Sequence, residues 1–93
     1  MAPMARFALT YEYADPDLRA RVRPRHLDYL GGLHEDGRVV SAGPFGDGSG
    51  ALVVYEAADL AAAQALVDAD PYAVEGVMRA PLLRAWTVVL GGS

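Results

Sequence analysis

Across residues 6–90 the apolar side chains alternate between two spacings, and the order of that alternation leaves few folds open. Residues 6–13 have period two. Phe7, Leu9, Tyr11 and Tyr13 fall on one side, and Ala8, Thr10 and Glu12 on the other. That is the pattern of a strand, whose successive side chains point to opposite faces. Ala14-Asp15-Pro16-Asp17 breaks it. Residues 18–22 suggest one helical turn, and a main helix is expected over residues 24–36. Pro24 suits a first helical position, where a missing N–H costs nothing. Leu27, Leu30 and Leu33 form its apolar stripe, with Arg25, Asp28 and Glu35 on the wet side. Gly37 is the expected stop, as a left-handed residue past the helix end. Gly31-Gly32 inside this helix costs roughly 1 kcal/mol each against alanine. The pair therefore suggests close approach of another backbone.

Residues 39–42 and 51–56 read as two strands of an antiparallel hairpin, joined by a glycine-rich loop. Asp59 caps a second helix over residues 60–69 by accepting from N–H groups of its first turn. Leu60, Ala63, Leu66 and Val67 make its buried stripe. Pro71 disfavours helical geometry at Asp70 and ends the helix. Residues 72–77 suggest one more turn, and a last strand is expected over residues 82–90.

The order β-α-β-β-α-β is the ferredoxin-like split βαβ connectivity. It predicts an α+β fold, a four-stranded antiparallel sheet with both helices on one face. The third and fourth strands are nevertheless apolar on both sides: Leu52 and Val54 against Val53 and Tyr55, then Leu83, Ala85 and Val89 against Trp86, Val88 and Leu90. A solvated sheet face alternates with polar residues, and an uncovered apolar face is adhesive. A homodimer packed through its sheet faces is the expected partner. The hydrophobic fraction of 53% points the same way.

Ninety-three residues suit one domain, with its core over about residues 6–90. The chain has no cysteine, so thiolate catalysis and Cys-ligated metal sites are excluded. The formal charge is −4 with no Lys/Arg-rich run, which argues against nucleic acid as a partner. No stretch reaches the roughly 18 apolar residues of a membrane span, and residues 1–6 lack the apolar core of a signal peptide. The expectation is a cytoplasmic protein with no membrane partner. Gly46-Asp47-Gly48-Ser49-Gly50 joins two strands and opens no helix, so it lacks the context of a phosphate loop. His34 lies eight residues after His26, about 80° around a helix, and reads as a surface residue. The two histidines give poor support for a metal site, and no cofactor is expected.

Two segments carry chemistry. Arg23-Pro24-Arg25-His26 opens the first helix, and Asp68-Ala69-Asp70-Pro71-Tyr72 closes the second. Together with Gly37-Arg38-Val39-Val40-Ser41-Ala42-Gly43-Pro44 and Ala63-Gln64-Ala65, they make the chain resemble the YciI (YCII-related) family, over nearly its whole length. The resemblance implies a ferredoxin-like fold, dimerised through its sheets into a barrel-like arrangement. It also implies a pocket in which a histidine and an aspartate form a proposed dyad, at His26 and Asp70 here. One assigned relative is a dehydrochlorinase acting on a hydroxylated aromatic ring, and muconolactone isomerase shares a similar small dimeric fold. The loop at Phe45 is shorter than in some members, which implies a differently shaped pocket.

Each candidate also has a plain structural role. His26 is a helix-boundary histidine in one reading and a proton carrier in the other, since imidazoles accept and release protons near neutral pH. Asp70 caps the Pro71-Tyr72 turn, or orients the imidazole as an aspartate does in catalytic triads, or does both. Asp68, two residues earlier, faces elsewhere. Tyr72 is a half-buried aromatic or a donor to a ligand oxygen. Phe45 is a turn residue or a pocket wall, Ser41 a polar contact, and Arg23 an exposed arginine or a carboxylate or phenolate contact. Two functions follow. One is an enzyme that eliminates or isomerises a small aromatic or lactone-like substrate, with His26 and Asp70 catalytic. The other is a non-catalytic small-molecule-binding or accessory dimer.

Overall fold

The computed structural model describes residues 4–91. Its elements are β1 (Ala5–Tyr13), α1 (Pro16–Glu35), β2 (Val39–Pro44), β3 (Gly50–Ala57), α2 (Leu60–Asp68), α3 (Pro71–Val74) and β4 (Met78–Trp86). The four strands form one antiparallel sheet in the order β2-β3-β1-β4. This is the ferredoxin-like α+β arrangement, and the helices lie on one face. Among the described residues no helix is long and apolar enough to cross a membrane.

The alternation in β1 sets the core. Phe7, Leu9 and Tyr11 are buried, and they pair across the sheet with Tyr55, Val53 and Ala51 of β3. Leu9, Val53 and Tyr55 pack with Val22, Leu30 and Leu33 of α1 and with Val67, Tyr72 and Val77. Gly50 opens β3 at a close approach. A Cβ there would lie 1.9 Å from the carbonyl oxygen of Tyr11, so no side chain fits.

Helix α1 is one element of 20 residues rather than a turn followed by a helix. Asp15 is its N-cap, accepting from Asp17 N and Leu18 N, and Pro16 takes the first turn. Pro24 is therefore interior and cannot donate to the carbonyl of Ala20. Both residues are exposed, so water can serve the carbonyl the proline leaves unbonded. The inward stripe follows this longer helix: Val22, His26, Leu30 and Leu33 are buried, while Leu27 is exposed. His26 thus occupies a core-facing position. Gly31 and Gly32 have open space around them, so among the described residues no backbone approaches the pair. At the C-terminus Gly37 has φ of 78°, and N–H groups of Gly37 and Arg38 bond to His34 O and Leu33 O. This is the Schellman pattern, which satisfies the last carbonyls of the helix.

Helix α2 starts as its cap directs, with Asp59 accepting from Ala62 N. Ala63 and Val67 are buried, Leu66 partly so, and Leu60 is exposed rather than in the stripe. Strand β4 begins and ends four residues earlier than its apolar pattern suggested. Ala80, with φ of 51°, and Pro81 together face Tyr11, so the register slips by one residue between Thr10 and Glu12. Such a bulge on an edge strand accommodates a proline that cannot donate to the ladder. Leu82, Arg84 and Trp86 consequently point to the sheet face that carries no helix, opposite Thr10, Ala8 and Arg6. Leu52 and Val54 of β3 share that face. Val88, Val89 and Leu90 lie past the strand, with Val89 and Leu90 exposed.

Candidate active site

Two helix ends meet beneath α1. Helix α2 ends at Asp68, and Pro71 opens α3. Between them Asp70 takes an extended backbone, φ −65° and ψ 129°, as a residue before proline prefers. That geometry turns its side chain inward, where it is fully buried. One oxygen, Oδ1, accepts from Tyr72 N at 2.9 Å and contacts His26 Nδ1 at 2.8 Å. A carboxylate oxygen accepts, so Nδ1 is the donor in this contact, which leaves Nε2 as the second ring nitrogen. Capping and histidine contact are therefore joined in a single atom. The other oxygen, Oδ2, is buried and has no hydrogen-bond partner among the described residues. Asp68 stays on the surface, accepting from Gln64 Nε2 at 2.9 Å.

Tyr72 fixes the imidazole from its face. The two rings stack with centroids 3.6 Å apart and planes 3° apart. Tyr11, Tyr13 and Tyr72 also meet edge to face, at centroid distances of 5.8–6.4 Å. Such edge-to-face contacts add to what burial alone contributes. The imidazole is held at its edge by Asp70 and at its face by Tyr72.

His26 borders a cleft of about 210 Å³. The tyrosines form one wall, Leu27 and Leu30 another, and Ala42, Gly43 and Pro44 of β2 a third. Arg19 and Arg23 stand in the same lining. The Arg19 guanidinium carbon lies over the Tyr13 ring, 3.9 Å from its centroid. Burial pushes the Tyr72 phenol above its usual range, and the adjoining Arg19 guanidinium offsets part of that. Tyr11 is raised more strongly, chiefly by burial and then by neighbouring Tyr13 and Asp70. These phenols stay neutral hydrogen-bonding groups at ordinary pH. Among the described residues no three His, Cys, Asp or Glu side chains gather as a metal site would need.

Of the residues singled out in the sequence, His26, Tyr72 and Arg23 line the cleft, and Asp70 lies beneath it against His26. Ser41 and Phe45 do not line it. They border a separate shallow depression with Leu52. The β2–β3 register explains this: Ser41 sits opposite Val54, on the helix-free side of the sheet. His34 is exposed, and its Nδ1 lies 3.0 Å from Val39 O. Arg19, Tyr11 and Tyr13 border the cleft without having been singled out. The signal for Arg19 was present, since residues 19, 23, 26 and 30 follow helical i, i+4, i+7, i+11 spacing. It becomes visible only when Pro24 is placed inside the helix.

Residues 5–87 match the model of the YCII-related domain. Protein YciI of Escherichia coli O6:H1 and that of Shigella flexneri are each 42% identical to the chain over 69 residues, covering 63% of it and 70% of the relative. Among solved structures, 5-chloro-2-hydroxyhydroquinone dehydrochlorinase of Burkholderia phenoliruptrix AC1100, in complex with 2,5-dihydroxybenzoquinone, superposes with a TM-score of 0.74. It is 22% identical, over 88% of this chain and 93% of that one. Rv0793 of Mycobacterium tuberculosis has a TM-score of 0.62 at 11% identity, over 98% and 100%. These two likenesses concern the fold. The match over nearly the whole sequence, with the two curated relatives, establishes that this chain belongs to the YCII-related family.

Proposed function

We propose that the chain is an acid–base enzyme needing no cofactor, which eliminates a leaving group from, or isomerises, a small aromatic or lactone-like substrate. The observation that carries this reading is the buried 2.8 Å contact between His26 Nδ1 and Asp70 Oδ1, on a histidine whose ring borders an open cleft. A substrate in the cleft meets Nε2. That nitrogen takes a proton from a ring carbon or hydroxyl, and the freed electron pair either expels a leaving group or shifts a double bond. In an isomerisation the imidazolium returns the proton at a second position. In an elimination it releases the proton to solvent as the leaving group departs with its electron pair. Asp70 touches no substrate. It is a positioning residue that holds the ring orientation and offsets the charge developing on it.

A positioned general acid–base contributes typically 10²–10⁴-fold, enough for substrates already inclined to react. The dehydrochlorinase with the same fold acts on a ring of that kind, which favours the elimination branch. A homodimer through the helix-free sheet face belongs to the same reading, supported by the exposed Leu82 and Trp86 on that face. The test is a panel of hydroxylated, halogenated and lactone substrates followed by mass spectrometry. Wild type should convert at least one, and His26→Ala should lose 10²-fold or more in kcat with the fold intact. Ligands that protect the protein thermally and emerge unchanged, with His26→Ala equal to wild type, would instead make it a binding module.

A further inference from the structure

We infer that the cleft takes its ligand as an anion, a single planar ring bearing a carboxylate or phenolate, and that Arg19 and Arg23 recognise the charge. The inference rests on the reading of the cleft as a substrate site and names the substrate's charge class.

The charge balance of the lining comes first. Arg19 and Arg23 border the cleft, and no aspartate or glutamate does. Among the described residues neither arginine forms an ion pair; Arg21 and Arg84 have none either but lie outside the cleft lining, whereas Arg6, Arg25, Arg38 and Arg79 each have an acidic partner. Asp70, the nearest acidic group below, is already engaged by His26 and Tyr72 N. The protein as a whole carries −4. A positive recess in an acidic molecule concentrates anions locally, because low-dielectric walls focus the field.

Arg19 is also arranged for one kind of contact. Its guanidinium carbon lies 3.9 Å from the Tyr13 ring centroid, a cation–π contact that consumes none of its N–H donors. The guanidinium edge carries the fork of N–H donors that matches a carboxylate bidentately. Among the described residues its Nε has no acceptor, but that nitrogen is itself buried, so an anion in the cleft would be met by the outer Nη donors. Arg23 lies one helical turn further along the same face of α1, and His26 follows it. An anion held by the two arginines therefore places the rest of its ring toward the imidazole.

Size and polarity complete the class. A cavity of about 150 Å³ already accommodates benzene. At about 210 Å³ the cleft has room for one ring with small polar substituents. Tyr11, Tyr13 and Tyr72 supply aromatic surface, and Leu27 and Leu30 supply apolar surface. The phenols of Tyr11 and Tyr72, which burial keeps neutral, would not repel an anion.

Benzoate and its neutral isostere benzamide test this by NMR titration of the ¹⁵N-labelled protein. Wild type should bind benzoate at least tenfold more tightly than benzamide, with shifts clustered on α1 and at Tyr72. Arg19→Gln and Arg23→Gln should each weaken benzoate fivefold or more and leave benzamide within twofold. Arg38→Gln, which removes an exposed arginine outside the cleft, should change neither. Should Arg19→Gln not fold, Arg23→Gln and the wild-type benzoate-to-benzamide ratio decide. Equal affinity for the two probes, no benzoate binding by wild type, or arginine variants that bind like wild type would overturn the inference. His26→Asn separates it from the proposed reaction, because benzoate should still bind within threefold. Arginine-dependent benzoate binding without turnover of any substrate would sink the reaction and leave the anion site standing. His26-dependent turnover unaffected by either arginine variant would do the reverse.

Discussion

At the scale of the residue, Asp70 has two duties on one oxygen, and each is a separate liability. Removing the carboxylate leaves a buried Tyr72 N–H and a buried imidazole N–H without an acceptor. Unmet donors of this kind cost about 1–3 kcal/mol each. Asp70→Ala should therefore lose about 3 kcal/mol in urea unfolding. Asp70→Asn keeps an acceptor and should lose less stability, yet drop kcat by a large factor because its amide no longer meets the charge of an imidazolium. Equal losses of stability for the two variants would argue against the capping duty. Tyr11 and Tyr55 give a second prediction. Burial is the main cause that raises both phenols above the usual value near 10, and Asp70 adds to it. Below pH 10 both folded and unfolded chains hold these protons, so the contribution is fully present. Above it the unfolded chain sheds protons that the native chain keeps, and stability falls by about 1.4 kcal/mol per pH unit for each phenol. Cooperative loss of circular dichroism above pH 10, coincident with phenolate absorbance, is the expected result. Smooth titration of all phenols without unfolding would contradict it. The capping duty was legible in Asp70-Pro71 itself, whereas the pairing of Asp70 with His26 was implied only by the resemblance to the YCII-related family. The stacking of Tyr72 on His26 was not legible, since ring contact across 46 positions depends on how the two helix ends dock.

At the scale of the element, two prolines account for most of the difference between the pattern in the sequence and the structure. Pro24 resembles a helix start, and Arg23-Pro24 on its own supports that reading. Asp15-Pro16 is the stronger start, with an aspartate cap directly before the proline, and the helix runs through Pro24. What local rules cannot weigh is the tertiary gain. Extending α1 backward buries Val22 among Leu9, Tyr55 and Tyr72, and a buried valine is worth about 1.5–3 kcal/mol. That is comparable with the roughly 3 kcal/mol an interior proline costs. Pro24→Ala should consequently restore the bond to Ala20 O and stabilise the protein by about 1–2 kcal/mol, part of the gain being offset by a freer unfolded chain. The urea midpoint should rise with an unchanged slope. A fall in midpoint would mean that the ring itself packs favourably. Pro81 misleads differently. It suggests a strand that starts after it, whereas the bulge at Ala80 and Pro81 carries the ladder back to Met78, where Arg79 Nη2 meets Glu12 Oε1 at 2.7 Å.

At the scale of the whole molecule, the helix-free sheet face decides whether the chain is complete alone. The order of elements was legible because each change of hydrophobic period was sharp. So was the apolar second face, because β3 breaks the polar alternation an exposed sheet requires. Its composition was legible only in part, because the four-residue displacement of β4 keeps Trp86 on that face, adds Leu82 and leaves Val88 and Leu90 beyond the strand. Leu82 and Trp86, each nearly half exposed, flank Ala8 and Thr10, with Leu52 and Val54 beyond them. The Arg6–Glu56 ion pair at 3.7 Å lies at one margin of this surface. Placing two such faces together removes apolar area from water at about 25 cal/mol per Å², and it does so without touching the cleft on the helix side. Dimerisation also couples stability to concentration, since a partner that binds only the folded chain raises the apparent unfolding midpoint. Wild type should sediment at twice the 9.9 kDa chain mass at micromolar concentration, and its thermal midpoint should climb as concentration rises. Trp86 is the single tryptophan, so its emission should shift to the red on dilution as the face becomes wet. Leu82→Arg places two charges against each other across a two-fold interface. It should give a folded species of single-chain mass whose midpoint no longer depends on concentration. A wild-type monomer with a concentration-independent midpoint and invariant Trp86 emission would refute the sheet-to-sheet dimer, whatever became of the chemistry at His26.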